Sequence, residues 1–156
     1  MSQETIDIIK ELSPLIHSKS LDITHKTFDS LFKKYPHLKL MFDDTNKDHP
    51  VLLAEAFCTF AVNIDNLKIL ELALHQIASS HTNVYVMPEH YMILGPILMN
   101  AIEDAIGKEI NIKQLDAIRE GFKYITSLLI EMERKIYLEM IRDSLKPLCE
   151  PVTIRY

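Results

Sequence analysis

Two histidines, His49 and His81, stand 32 residues apart on stretches whose apolar residues recur with a helical period. Neutral imidazole is a common ligand for transition metals. Two imidazoles on separate helices can face a flat, metal-bearing cofactor from its two sides. Upstream lies the run Tyr35-Pro36-His37-Leu38-Lys39-Leu40-Met41-Phe42, in which Pro36 starts a turn and Phe42 puts an aromatic between that turn and the histidines. The other histidines, at 17, 25, 37, 75 and 90, show no metal-cluster spacing.

Each residue also has a plainer reading when taken singly. A histidine at a helix C-terminus, where His81 falls, commonly serves as a capping cation. His49 reads as an exposed first-turn residue, Tyr91 as a core-edge tyrosine and Glu133 as a solvated carboxylate.

Composition narrows the classes. A chain of 156 residues is one domain by size and can bury roughly 70% of its unfolded surface. The formal charge is −5 with histidines neutral, and no Lys/Arg run exceeds a pair such as Lys33-Lys34, which argues against nucleic acid and anionic membrane. Cys58 and Cys149 are too few and too distant for a disulfide framework or a zinc site. The polar start Met1-Ser2-Gln3-Glu4-Thr5 and the lack of an apolar run of ~18 residues predict neither signal peptide nor membrane span, so a soluble cytoplasmic protein is expected. Three glycines, few β-branched runs and abundant Leu, Ile, Met, Ala, Glu and Lys favour an all-α chain.

The elements follow from periodicity. A first helix opens at Ser2 or Thr5 and is limited or bent at Ser13-Pro14; a second runs from about Ser20 to Lys34. Pro36 to Phe42 makes a short turn, and Asp43 to Asp48 reads as a loop. Asp48-His49-Pro50 starts a helix whose broad apolar face, Leu52, Leu53, Ala56, Phe57, Phe60 and Ile64, predicts burial under other helices. A further helix covers Leu67 to Ser80, leads to His81 and stops where Thr82 to Val86 break the period. Pro88-Glu89 opens one that Gly107 ends, and a last helix runs from near Asn111 to about Leu145.

In order, Phe28, Pro36 to Phe42, His49 to Leu53, His81, Tyr91 to Gly95 and Glu133 resemble the globins, in particular bacterial single-domain globins and the globin domain of flavohaemoglobins. The most specific stretches are Leu38 to Phe42, Ala61-Val62-Asn63-Ile64-Asp65-Asn66-Leu67, Ile77-Ala78-Ser79-Ser80-His81-Thr82, and Pro88-Glu89-His90-Tyr91 with Leu94-Gly95. The likeness runs from about Thr5 to Tyr137. Helical pattern alone fits a bundle as well as a globin-like packing; the resemblance implies the second, with six to eight helices around a pocket. It implies a globin domain over 1–146, a tail over 147–156, and haem b (iron protoporphyrin) as cofactor. His81 then corresponds to the proximal iron ligand and His49 to the distal residue, with Pro50 leaving it free enough to serve as a sixth ligand. Phe28, Phe42, Leu53, Ile77, Val86, Tyr91 and Leu94 correspond to cofactor contacts. Tyr91 and Glu133 match the pair that hydrogen-bonds around the proximal histidine and makes it a stronger electron donor.

Two departures shape the functional expectation. Phe28 stands where the flavohaemoglobin-like pattern has a tyrosine, and His49 where it usually has glutamine. A charge-assisted hydrogen bond to a diatomic ligand is worth roughly 1.5–3 kcal/mol, and Phe28 cannot supply it. The leading expectation is therefore a globin that binds oxygen, carbon monoxide and nitric oxide reversibly. The enzyme alternative is nitric oxide dioxygenation, which needs a separate reductase because the chain holds no Gly-rich dinucleotide fingerprint. A globin-fold sensor or interaction module is the third.

Overall fold

The computed structural model of the protein describes residues 1–42 and 48–145; most of the loop expected at 43–48 and the tail expected at 147–156 lie outside them. Among the described residues there are helices and no strands: α1 (Gln3–Lys34), a 3-10 helix (Pro36–Met41), α2 (His49–Asn63), α3 (Leu67–Asn83), α4 (Pro88–Ile106) and α5 (Ile112–Leu145).

The expected break at Ser13-Pro14 does not occur, and one helix replaces the two predicted. Pro14 has no N–H for the carbonyl of Lys10, and Ser13 Oγ donates to that carbonyl instead at 2.8 Å. An interior proline costs ~3 kcal/mol or more. Ile9, Leu12, Ile16 and Ile23 stay on one buried stripe across it, each 5% exposed or less. At about 1.5–3 kcal/mol for each such side chain, burial outweighs the proline.

α1 packs chiefly on α2 and α4, and α3 lies on α5. The main core joins Ile9, Ile16 and Ile23 to Leu70, Leu74, Leu98, Ile102 and Leu129. A second cluster, Phe28, Leu31, Leu38 and Ile97, seats the 3-10 helix against α1 and α4.

The helix ends are set locally. Asp48 caps α2 by accepting from the Val51 N–H at 3.3 Å, with Pro50 tolerated in the first turn. Asn66 caps α3 through the Ile69 N–H. At the start of α5, Asn111 and Gln114 exchange backbone-to-side-chain bonds at 2.9 and 3.0 Å, a reciprocal cap. Pro88 sits in the first turn of α4, as its position in the sequence predicts.

Two further expectations are corrected. α3 continues past Ser80 to Asn83, which puts His81 inside its last turn. The helix then closes with a Schellman motif: the Val86 N–H donates to His81 C=O at 3.0 Å and the Tyr85 N–H to Thr82 C=O at 3.3 Å. Tyr85 takes φ 58° there, a left-handed conformation that costs a non-glycine residue about 1–2 kcal/mol. No glycine marks the site, so the sequence signal for this cap is missing. The apolar face of α2 is packed as expected in part, with Ala61 and Ile64 in the core and Phe57 and Phe60 against it, but it also lines a cavity. Ala54, Ala61 and Ile64 are buried, while Leu53, Phe57 and Phe60 keep part of their surface open to the cavity.

Candidate functional site

The cavity beneath α2 has a volume of about 470 Å³ and a largely apolar lining. All nine residues expected to contact a cofactor line it: Phe28, Phe42, His49, Leu53, Ile77, His81, Val86, Tyr91 and Leu94. They come from α1, the turn before α2, α2, α3, the α3–α4 connection and α4, so only the packed fold brings them together.

One side is aromatic. The Phe42 ring meets His49 edge-on at 4.8 Å between centroids and Phe28 at 5.5 Å, while Phe28 lies 6.3 Å from His49. Phe32 closes the cluster 5.3 Å from Phe42. His49 is the first residue of α2, where backbone constraints are weakest, and Phe42 and Phe28 flank its ring.

The His81 side is polar and tied down. His81 Nδ1 lies 2.9 Å from Glu133 Oε1 and 2.8 Å from the Tyr91 hydroxyl, and Tyr91 donates to the same Glu133 oxygen at 2.5 Å. The Glu133 side chain is 3% exposed, which rules out the plain reading of a solvated carboxylate. The Tyr91 phenol is pushed far above its ordinary value, first by burial and then by its hydrogen bond to Glu133 and the negative charge there. It is a neutral donor at every physiological pH. With Glu133 accepting, Nδ1 carries the imidazole proton and Nε2 keeps its lone pair. The His81 side chain remains 34% exposed because its other edge opens on the cavity.

Among the described residues, no three His, Cys, Asp or Glu side chains converge to hold a metal ion. The donor set is instead one oriented imidazole facing a roomy apolar slot, with a second imidazole also on the wall. That suits an iron held mainly by a flat organic ring, which brings four donors of its own and needs axial ligands and apolar walls from the protein. The residues present fit such a group.

The family model for globins matches residues 25–129. The chain belongs to the globin family. A globin-like protein of Aquifex aeolicus is 36% identical over 88% of this chain and 97% of its own length. A flavohemoprotein of Rhodopirellula baltica is 31% identical over 89% of this globin, which spans only 35% of that relative. The bacterial globin of Campylobacter jejuni superposes with a TM-score of 0.77 at 29% identity, covering 87% of this chain and 99% of that one. A candidate nitric oxide dioxygenase from Rhodothermus marinus, engineered as a carbene transferase, superposes at 0.84 with 25% identity over 90% and 99% of the two chains. Haem binding is what this family membership supports. No helix among the described residues is long and apolar enough to cross a membrane.

Sequence reasoning missed several walls of the globin pocket. Ala56 and Phe57, one turn beyond Leu53, and Phe60, two turns beyond it, line it on the same apolar stripe. Phe122 of α5 also lines it, seated against Gly95 so closely that a Cβ there would lie 2.9 Å from its ring. Nothing in the spacing of Phe122 announces this. Tyr137, which donates to Val86 C=O at 2.9 Å, follows Glu133 by one helical turn, and that spacing is a usable signal.

Proposed function

We propose that this globin binds haem b through His81 and reversibly holds oxygen and other diatomic gases, among them carbon monoxide and nitric oxide. One observation carries the reading: His81 is oriented from behind by Glu133 and Tyr91, and its remaining ring nitrogen belongs to the edge that opens on the apolar cavity. The two cysteines, Cys58 and Cys149, form no C-x-x-C-H attachment site, which favours non-covalent iron protoporphyrin.

When bound, haem supplies an iron centre with one face available to a small gas molecule. The chain decides the rest. Phe42 and Leu53, which line the cavity, would help to exclude water from a bound haem, and Phe28 brings no hydroxyl to its side of the wall. His49, on the same wall, would donate a hydrogen bond to a diatomic ligand or ligate the iron itself. Glu133 and Tyr91 fix the His81 tautomer and raise its electron donation.

A second reading is nitric oxide dioxygenation served by a separate reductase in the cytoplasm. The buried Glu133–Tyr91–His81 network favours it, as do the flavohemoprotein relatives and the Rhodothermus protein. This chain spans about a third of the length of those flavohemoproteins. The globin unit comprises residues 1–146 on either reading.

The decisive test is a Soret band in purified protein together with a His81→Ala variant. We expect the variant to lose or severely weaken haem retention and to regain part of it with exogenous imidazole. Full haem content and an unchanged ferrous spectrum in His81→Ala would remove the ligand assignment. A purified protein that takes up no haem at all would favour the sensor or interaction module. Nitric oxide consumption under oxygen with an electron donor separates the enzyme from the carrier.

A further inference from the structure

α5 grips the last turn of α3 at two heights. Glu133 reaches the His81 ring at 2.9 Å. One turn further along α5, the Tyr137 hydroxyl donates to Val86 C=O at 2.9 Å. The Val86 N–H in turn donates to His81 C=O at 3.0 Å, and the Val84 N–H to the same carbonyl at 3.1 Å. The backbone of His81 is therefore tied to α5 through Val86, independently of its ring.

The turn that makes this connection is strained. Tyr85 adopts φ 58° between the two Schellman bonds, and the residue is 69% exposed, so packing of its ring does not hold that conformation. Something else must keep the turn closed. The phenol of Tyr137 is raised above its ordinary value by burial and then by the Glu133 charge, so it stays a hydrogen-bond donor.

We propose that Tyr137 is a positioning residue for His81: its hydroxyl clasps Val86, keeps the strained Tyr85 turn closed, and so fixes the height and tilt of the imidazole over the cavity. This rests on the reading of His81 as iron ligand for its consequence at the haem, but the clasp itself is a property of the chain. Without the hydroxyl, Tyr85 relaxes toward negative φ and both capping bonds open. His81 then rides on a frayed last turn, held only by Glu133 and Tyr91 at Nδ1.

Three variants in the haem-loaded protein test the clasp: Tyr137→Phe, Tyr85→Gly and the two combined. In Tyr137→Phe we expect the amides of Tyr85 and Val86 to exchange at least tenfold faster, about 1.4 kcal/mol in the opening equilibrium. The iron–histidine stretching band of the reduced, gas-free protein should shift and broaden. Adding Tyr85→Gly should restore both, because glycine takes positive φ without steric cost. A hydroxyl that merely contributed to stability would move neither the band nor the local exchange. Unchanged exchange in Tyr137→Phe overturns the proposal, and so does a change that Tyr85→Gly fails to restore. Amide exchange reads the clasp whether or not His81 binds iron, whereas haem loss in His81→Ala reads the ligand assignment alone.

Discussion

The Tyr91 hydroxyl and Glu133 Oε1 lie 2.5 Å apart although the residues are 42 positions apart in the chain, one on α4 and the other on α5. A separation that short is typical of an O–H donor facing an ionised carboxylate. Glu133 uses the same oxygen toward His81 Nδ1, so one buried acceptor joins three helices behind the candidate ligand.

Removing the charge of that acceptor should therefore be read at the iron. Glu133→Gln keeps the shape and should lower the iron–histidine stretching frequency of the reduced, gas-free protein, because a less polarised imidazole donates less. An unchanged frequency would mean that Glu133 orients His81 without tuning it. Glu133→Ala should also cost about 1–3 kcal/mol of stability, since the Tyr91 hydroxyl is left buried without its acceptor. Chemical denaturation measures that cost.

The raised Tyr91 phenol predicts a specific alkaline weakness. Below pH 10, the ordinary value for a tyrosine, the phenol is protonated in both folded and unfolded chains and contributes no slope. Above it the unfolded chain releases the proton while the folded one keeps it, so stability falls as pH rises, by up to about 1.4 kcal/mol per pH unit. The stability of the wild type relative to Tyr91→Phe should shrink from about pH 9 to about pH 11. Parallel curves for the two proteins would show that Tyr91 is not the group responsible.

On the opposite side, His49 should control gas release. Phe28 has no donor, and its ring lies 6.3 Å from that of His49. His49→Leu should speed oxygen dissociation about tenfold or more, since ~1.4 kcal/mol is a factor of ten, and should affect carbon monoxide much less. Phe28→Tyr should slow oxygen release by adding a donor beside His49. Stopped-flow kinetics check both, and equal oxygen release with and without His49 would exclude it from holding the gas. If His49 takes the sixth position, His49→Leu should instead speed ligand binding and turn the reduced spectrum from six- to five-coordinate.

Gly95 is a test of packing behind the pocket. An added methyl would lie 2.9 Å from Phe122 Cε1, an edge of a rigid ring, whereas at Gly121 it would meet Ile9 Cδ1, the tip of a flexible chain, at 2.7 Å. Gly95→Ala should lose about 1–3 kcal/mol by overpacking. Gly121→Ala should be close to neutral, because Ile9 can rotate and alanine regains ~1 kcal/mol of helix propensity. Thermal unfolding of the two variants side by side distinguishes them.

How far the sequence reached depended on whether each determinant was local. The all-α class, the start of α2 at Asp48, the start of α5 near Asn111, the proline in the first turn of α4 and the nine residues that prove to line the cavity are legible. Local hydrogen bonds fix the caps, and the pocket residues carry the globin resemblance. Three features were decided by the tertiary structure. Burial of one stripe through Pro14 kept α1 whole against a local penalty, helped by Ser13. The apolar face of α2 turned toward a cavity, because an apolar stripe looks the same whether it meets neighbouring side chains or the wall of a cofactor site. The left-handed turn at Tyr85 and the Tyr137 bond that meets it depend on α5 crossing the end of α3, a contact between residues 51 apart that no local propensity encodes.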